Sequence, residues 1–212
     1  MQIKNKIAVL GSTGKAGQFL TRELLNQEYP IRLLLRNPEK LRITNPLIEV
    51  VSGDARNPDA VREWIKGTTA VISAIGQPVG ESSIFGDASR NIINAMEFFS
   101  IRRYIVLTGL NVDTPNDLKS PYTAGGTAWM KANYPKTTAD KQVEYEMLNA
   151  SALDWTLVRL PLIELSDEAL EINCSLIDCP GEKISAQSLA LFLVDQISSK
   201  HYPMQAPFIA NR

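Results

Sequence analysis

The chain has 212 residues, of which 44% are hydrophobic and 21% charged, and this composition suits one globular domain with a full core. The formal net charge of −1 does not favour nucleic acid or an anionic membrane as a partner. No apolar run approaches the roughly 18 residues of a membrane span, and the polar residues 1–6 do not resemble a signal peptide. We therefore expect a cytoplasmic protein that binds neither nucleic acid nor membrane.

The first half of the chain alternates short apolar runs with amphipathic segments. The alternation predicts buried strands over residues 7–10, 31–35, 48–51, 70–75 and 104–107, with helices over about 18–27, 57–66 and 82–100. Strands that read as continuous apolar runs and alternate with helices are typical of a parallel sheet covered on both faces. The pattern predicts an α/β fold, a Rossmann-type doubly wound parallel sheet with helices on both faces.

The second half departs from this rhythm. Residues 110–134 contain Pro115, Pro121, Gly125 and Gly126, and they are predicted to form a long loop at the carboxyl end of a strand, where α/β proteins bind ligands. The pattern then predicts a helix from an N-cap at Thr137 to about residue 150, a strand over 155–160, an irregular segment over 162–182 with strand potential at 172–177, a helix over 185–198 and a short strand over 206–209. We expect a single domain over residues 1–212, with the variable segments 110–134 and 162–184 forming a small, irregular substrate region.

The two cysteines lie late in the chain. Cys174 and Cys179 are five positions apart without a nearby histidine, which does not make a zinc site. We expect two reduced thiols and no bound metal.

Three glycines follow the first predicted strand directly. Gly11, Gly14 and Gly17 form a G-x-x-G-x-x-G motif that leads into the first predicted helix. In a strand–turn–helix unit, such glycines permit the tight turn, let the backbone approach a phosphate and allow the helix to pack closely on the strand. The free N–H groups and the positive dipole end of the helix then favour an anion. The motif predicts a site for the pyrophosphate of a dinucleotide.

The residue after the second predicted strand indicates which dinucleotide is bound. NAD-specific sites place Asp or Glu there, whereas this chain has Arg36, whose guanidinium can bind a 2′-phosphate through parallel hydrogen bonds. Lys40 can share its face, and Lys15 with Ser12 or Thr13 can approach from the glycine loop. We expect NADP(H) as the cofactor.

Together these residues resemble the atypical short-chain dehydrogenase/reductases, the branch with NmrA-like proteins and the flavin or biliverdin-IXβ reductase type. The resemblance covers nearly the whole chain and is specific for fold and cofactor. It is carried by residues 11–17, Arg36, Gly53-Asp54, residues 74–76, Thr108, residues 153–161 and residues 184–186.

The resemblance implies roles by position. The glycine loop would wrap the pyrophosphate, Arg36 would face the 2′-phosphate and Asp54 would hydrogen-bond the adenine. Residues 74–76 would line the adenosine ribose, and the residues from 108 onward would surround the nicotinamide. The expected cofactor-binding residues are Gly11, Ser12, Thr13, Gly14, Lys15, Ala16, Gly17, Arg36, Lys40, Asp54, Ala74, Ile75, Gly76, Thr108, Gly109, Lys141 and Pro161.

Lys141 is the candidate catalytic residue. Well-studied short-chain enzymes use a Tyr-x-x-x-Lys pair, but this chain has the reverse order, with Lys141 four residues before Tyr145. That spacing puts both on one helix face, although only Lys141 lies near the helix start, where the nicotinamide is expected. Gly109 also replaces a serine often found there. Acceptors that need only hydride, such as flavins or quinones, therefore fit better than alcohols or ketones.

Three functions stay open at this point. The first is an NADPH-dependent reductase that transfers hydride to a flavin, quinone or small carbonyl, with Lys141 in an electrostatic or proton-relay role. The second is a non-catalytic NADP(H)-binding regulator of the NmrA type with a protein partner, which a large apolar patch on the variable segments would favour. The third is a sugar-nucleotide epimerase or dehydratase, against which the missing Tyr-x-x-x-Lys pair and the small C-terminal segment count.

Overall fold

The computed structural model describes residues 4–212, so the polar start of the chain lies partly outside the described residues. The predicted alternation of strands and helices is confirmed. The elements are β1 Ile7–Leu10, α1 Lys15–Asn26, β2 Ile31–Leu35, a 3-10 turn Pro38–Lys40, β3 Ile48–Ser52, α2 Pro58–Ile65, β4 Ala70–Ser73, α3 Phe85–Phe98, β5 Arg103–Gly109, α4 Pro121–Asn133, α5 Pro135–Ala150, β6 Asp154–Leu160, β7 Leu162–Glu164, β8 Ile172–Ser175, β9 Lys183–Ser185, α6 Ala186–Asp195 and β10 Phe208–Asn211.

The larger sheet has eight strands in the order β3-β2-β1-β4-β5-β6-β10-β8. Its strands are parallel except for β8, which pairs antiparallel to β10 at one edge. Strand β1 lies between β2 and β4, with Ile7 in register with Ile31 on one side and Ala70 on the other. The chain thus leaves β1 toward β2 and returns to its other side as β4, which makes the carboxyl end of β1 a switch point of the topology.

Hydrophobic side chains cover both faces of this sheet. Ala8 and Leu10 of β1 join one core, which α2, α3 and α5 cover, whereas Ile7 and Val9 join the core beneath α1 and α6. Alternate residues of a strand point to opposite faces, so a continuous apolar run is what a strand buried on both sides requires. This explains why the strand signals in the sequence were strong.

The long loop predicted over residues 110–134 was wrong in its second half, where helix α4 lies. Ser120 caps this helix by accepting a hydrogen bond from the Thr123 N–H, and Pro121 occupies the first turn, where its missing N–H costs nothing. Gly125 and Gly126 weaken the helical signal, since glycine is a poor helix former. Gly126 packs against Leu110, where a Cβ would lie 3.1 Å from Leu110 Cδ1, whereas a Cβ on Gly125 would meet no atom within 4 Å.

The predicted N-cap at Thr137 was also wrong. Helix α5 begins at Pro135 directly after Tyr134, so Thr137 lies inside its first turn. Short strands β7 and β9 pair with each other within the segment predicted to be irregular. None of the helices formed by residues 4–212 is both long and apolar enough to cross a membrane.

Candidate functional site

The site lies where the carboxyl ends of β1 and β4 meet the glycine loop. Gly11 has a positive φ of 81°, and a Cβ on it would lie 2.6 Å from the backbone of Ala74. A Cβ on Gly17 would lie 2.0 Å from the Gly11 carbonyl oxygen. Only glycine fits at these two positions, because one makes the turn beside β4 and the other lets α1 begin against it.

The start of helix α1 offers donors without competing acceptors. Gly14 caps the helix without a side-chain hydrogen bond, and the first turn carries no acidic residue. The N–H groups of a first helical turn have no intrahelical partner, so they are free to bind an anion. Ser12 Oγ is buried and has no hydrogen-bond partner among residues 4–212, and Ser12 lines a neighbouring cavity that shares Thr13 and Lys40 with the one described next. This loop therefore fits a pyrophosphate.

A cavity of about 300 Å³ extends from the loop toward β2 and β3. It brings together Thr13, Gly14, Arg36, Lys40 and Gly76, all predicted cofactor residues that lie far apart in sequence. Leu10, Leu34 and Ile84 supply an apolar floor. A mixed wall of this kind fits an adenosine with basic groups beside its ribose.

Asp54 does not line this cavity. Its Oδ1 accepts a hydrogen bond from the Arg56 N–H at 2.8 Å, so its carboxylate closes the turn after β3. Its Oδ2 lies 3.8 Å from Nη1 of both Arg36 and Arg56. The neighbours Gly53 and Ala55 line the cavity instead.

The guanidinium of Arg36 is hydrogen-bonded to the carboxylate of Glu81. Arg36 Nη1 donates to Glu81 Oε1 at 2.8 Å and to Oε2 at 3.0 Å. Glu81 lies in the connection between β4 and α3, 45 positions along the chain from Arg36. Sequence reasoning missed this carboxylate, since no local motif marks a pairing over such a distance.

A second cavity, of about 430 Å³, continues from the loop toward β5 and β6. It is lined by Lys15, Thr108, Gly109, Lys141 and Pro161, and it shares Gly14, Ile75, Gly76 and Gln77 with the first cavity. The predicted nicotinamide residues therefore lie together, at the far end of one continuous crevice. Thr108 Oγ1 is buried there without a hydrogen-bond partner among residues 4–212.

Lys141 is half-buried at this end of the crevice. Its Nζ lies 4.8 Å from the centre of the Phe85 ring, and a Cβ on Gly109 would lie 3.8 Å from it. Within the described part of the chain, no carboxylate oxygen lies within 4.0 Å of Nζ. Burial lowers the pKa of Lys141, while the nearby negative charge of Glu144 opposes that shift.

Glu144 is a second buried ionisable residue, one helical turn after Lys141, and sequence reasoning missed it. Its Oε1 accepts a hydrogen bond from Ser89 Oγ at 2.6 Å, and Ser89 Oγ lies 3.4 Å from the hydroxyl of Tyr104. Burial raises the pKa of Glu144 to about 7, although the hydrogen bond from Ser89 opposes the shift. The Lys-x-x-Glu spacing could have pointed to Glu144, because residues three apart lie on the same face of a helix.

Tyr145 does not join Lys141 in the crevice. Its ring packs edge-to-face on Trp155 with centroids 6.1 Å apart, and it lines a separate cavity beside Arg159. The reversed Lys–Tyr spacing therefore does not rebuild the short-chain acid–base pair. Among residues 4–212, no three His, Cys, Asp or Glu side chains lie close enough together to hold a metal ion.

Comparison with known proteins agrees with this geometry. The sequence profile of a family described as NAD(P)H-binding matches residues 11–200. Averufin oxidase A of Aspergillus flavus is 29% identical over 104 residues, which cover 42% of this chain and 36% of that protein. The chain therefore spans little more than a third of that relative's length.

Solved structures share the fold at low identity. ChuY, an anaerobillin reductase from Escherichia coli O157:H7, has a TM-score of 0.80 and 17% identity, with 97% of each chain covered. A short-chain dehydrogenase/reductase from Veillonella parvula in complex with NADP has a TM-score of 0.77 and 17% identity, covering 98% of this chain and 94% of that one. These likenesses confirm the predicted Rossmann-type fold. Since the NAD(P)H-binding profile matches nearly its whole length, the chain belongs to that family.

Proposed function

We propose that this protein is an NADPH-dependent reductase that transfers hydride to a small acceptor such as a flavin, quinone or carbonyl. The observation that carries the proposal is the continuous crevice at the switch point. One end has Arg36 and Lys40, the middle has the glycine loop, and the other end has Lys141. A cytoplasmic location and a small-molecule substrate are parts of the same proposal.

The residues of the crevice divide the work of holding the cofactor. The N–H groups at the start of α1 and the Ser12 hydroxyl would bind the pyrophosphate, since they lack other partners. Arg36 and Lys40 would bind the 2′-phosphate, and Thr108 would meet the nicotinamide end. When bound, the cofactor supplies the hydride.

Lys141 would act on the acceptor. Lys141 lines the second cavity, and its ammonium has the ring of Phe85 on one side, so it can stabilise negative charge that develops on an acceptor oxygen or nitrogen. Burial lowers the pKa of Lys141, so this group can release a proton more readily than an exposed lysine, and a reduced acceptor needs a proton.

Two names are in keeping with redox chemistry: ChuY, which shares the fold, is an anaerobillin reductase, and the sequence relative from Aspergillus flavus is an averufin oxidase. The absence of a Tyr-x-x-x-Lys pair near the nicotinamide end argues for an acceptor that takes hydride directly.

A second function, an NADP(H)-binding regulator, is favoured by one observation. The two variable segments carry many exposed apolar side chains, and protein surfaces with such clusters often bind partners. The exposed set is Leu118, Tyr122, Trp129, Tyr134, Leu162, Leu165, Leu170, Leu176 and Ile177. A regulator of this kind would bind NADP(H) without oxidising or reducing it.

Two measurements test the proposal. Calorimetry should show NADPH binding more tightly than NADH, by about tenfold or more, because charge-assisted hydrogen bonds to a 2′-phosphate are strong even when partly exposed. NADPH oxidation should then be screened against flavins, quinones and small carbonyls. Tight NADPH binding with no turnover on any acceptor would favour the regulator, and equal affinity for the two nucleotides would overturn the assignment of NADPH.

A further inference from the structure

Two guanidinium groups converge on the carboxylate of Glu81. Arg36 Nη1 donates to both of its oxygens, at 2.8 and 3.0 Å, and Arg56 Nη1 donates to Oε2 at 3.1 Å. Arg56 also donates to the carbonyl of Ser82 at 2.8 Å, which holds the side chain against the same connection. An acidic group bound by two arginines is the arrangement that proteins use for phosphate.

The position of this ion pair matters as much as its chemistry. Arg36 follows β2 and Glu81 follows β4, and β1 lies between those strands in the sheet. The pair therefore bridges the two walls of the adenosine cavity, which Arg36 lines on one side and Gln77 and Pro78 line on the other. Glu81 thus binds the guanidinium that faces the expected 2′-phosphate.

We propose that Glu81 is a specificity-determining residue whose carboxylate competes with the 2′-phosphate for Arg36. The inference rests on the proposed use of NADPH. A nucleotide with a 2′-phosphate replaces one anion on Arg36 by another. A nucleotide with a 2′-hydroxyl has no charge to exchange and leaves the Arg36–Glu81 pair intact.

Arg56 makes the exchange feasible. When Arg36 turns to a phosphate, Glu81 keeps its hydrogen bond to Arg56, so its charge is not left without a partner. The hydrogen bond from Arg36 lowers the pKa of Glu81 below its ordinary value, so Arg36 pairs with an ionised carboxylate at neutral pH. The side chains of Arg36 and Glu81 are 42% and 39% exposed, so water screens the pair and the competition should be modest.

The test compares dissociation constants of NADPH and NADH, by calorimetry, for the parent protein, Glu81→Gln and a control, Glu97→Gln. Glu97 is exposed near the end of α3, so its substitution makes the same change in net charge away from Arg36. Glu81→Gln should tighten NADPH about threefold to fivefold and leave NADH within about twofold. The control should change neither. In an Arg36→Ala background, Glu81→Gln should no longer affect NADPH, because the competed group is gone.

Other outcomes overturn the inference. Unchanged or weaker NADPH binding in Glu81→Gln would mean that the carboxylate does not compete, and equal gains for both nucleotides would mean that the bridge only obstructs the cavity. The proposed cofactor choice is tested separately, by the parent protein alone. If the parent protein showed no preference for NADPH but the Glu81→Gln variant did, the proposed cofactor choice would be overturned. The competition between Glu81 and the 2′-phosphate would be supported. A parent that binds neither nucleotide would overturn both.

Discussion

Glu144 should make the protein less stable as pH rises from about 5 to 8, and Glu144→Gln should remove that dependence. Burial raises the pKa of this carboxyl from 4.5 to about 7. Between those values the folded state keeps a proton that the unfolded state has released. Stability is therefore highest at low pH and falls as pH rises toward the folded pKa. At about 1.36 kcal/mol per pKa unit, the change amounts to roughly 3 kcal/mol.

Chemical denaturation at several pH values between 5 and 8 measures the effect. Glutamine keeps the size of the side chain and can accept the hydrogen bond from Ser89 but cannot ionise. The variant should gain roughly 2.5 kcal/mol on the parent between pH 5 and pH 8, since part of the full change falls below pH 5. Glu146→Gln, an exposed change on the same helix, is the matched control and should follow the parent.

Parallel pH profiles for the parent and Glu144→Gln would refute this reasoning. They would mean that the carboxyl ionises near its ordinary pKa, and hence that water reaches it in the folded protein.

Three further changes test the site and the core. Gly14→Val should weaken NADPH binding by more than tenfold, because its side chain would cover the phosphate position. The backbone angles of φ −76° and ψ 172° are open to valine, although its Cβ would lie 3.2 Å from the Gly11 carbonyl oxygen, so native circular dichroism is required of the variant. Unchanged binding by calorimetry in such a folded variant would mean that the phosphate lies elsewhere. Lys141→Ala should lower kcat by a larger factor than it weakens NADPH binding. Equal kcat in the variant and the parent, on any acceptor that the parent reduces, would contradict a catalytic role for Lys141. Asp117→Ala should destabilise the fold by about 3–5 kcal/mol in urea titrations, because the fully buried Arg159 loses its charged partner. The two Asp117 oxygens lie 2.7 and 2.8 Å from Arg159 Nη1. The control is Asp59→Ala, which should change stability little because the Asp59 side chain is 89% exposed.

Local patterns were sufficient for the central parts of the fold. The strand run 7–10 and the three glycines after it lie within a few residues of one another, so their signal does not depend on the rest of the chain. A strand buried on both faces must be continuously apolar, and a tight turn beside another strand must be glycine at Gly11, where φ is 81°. Both constraints can be recognised in the sequence, because each one restricts the residue type at a single position.

Helix α4 shows where local reasoning stops. Prolines and two glycines predict a loop over 110–134, yet Ser120 caps a helix there and Leu110 packs against Gly126. Intrinsic propensity is worth up to about 1 kcal/mol at each such glycine, and packing outweighs it. No sequence pattern within residues 110–134 predicts the contact between Leu110 and Gly126.

The partners of the charged residues in the crevice depend on contacts between segments that are distant in the chain. Arg36 could be predicted as a basic residue after β2, but its partner Glu81 is 45 positions away and reaches it because β1 brings the ends of β2 and β4 together. Glu144 looks like an ordinary helix carboxylate until α5 packs on α3 and buries it against Ser89. Local sequence patterns were enough to predict the parallel sheet and the glycine turn. The ionisation and pairing of the charged residues in the crevice depend on burial and distance, which arise only when segments far apart in the chain pack together.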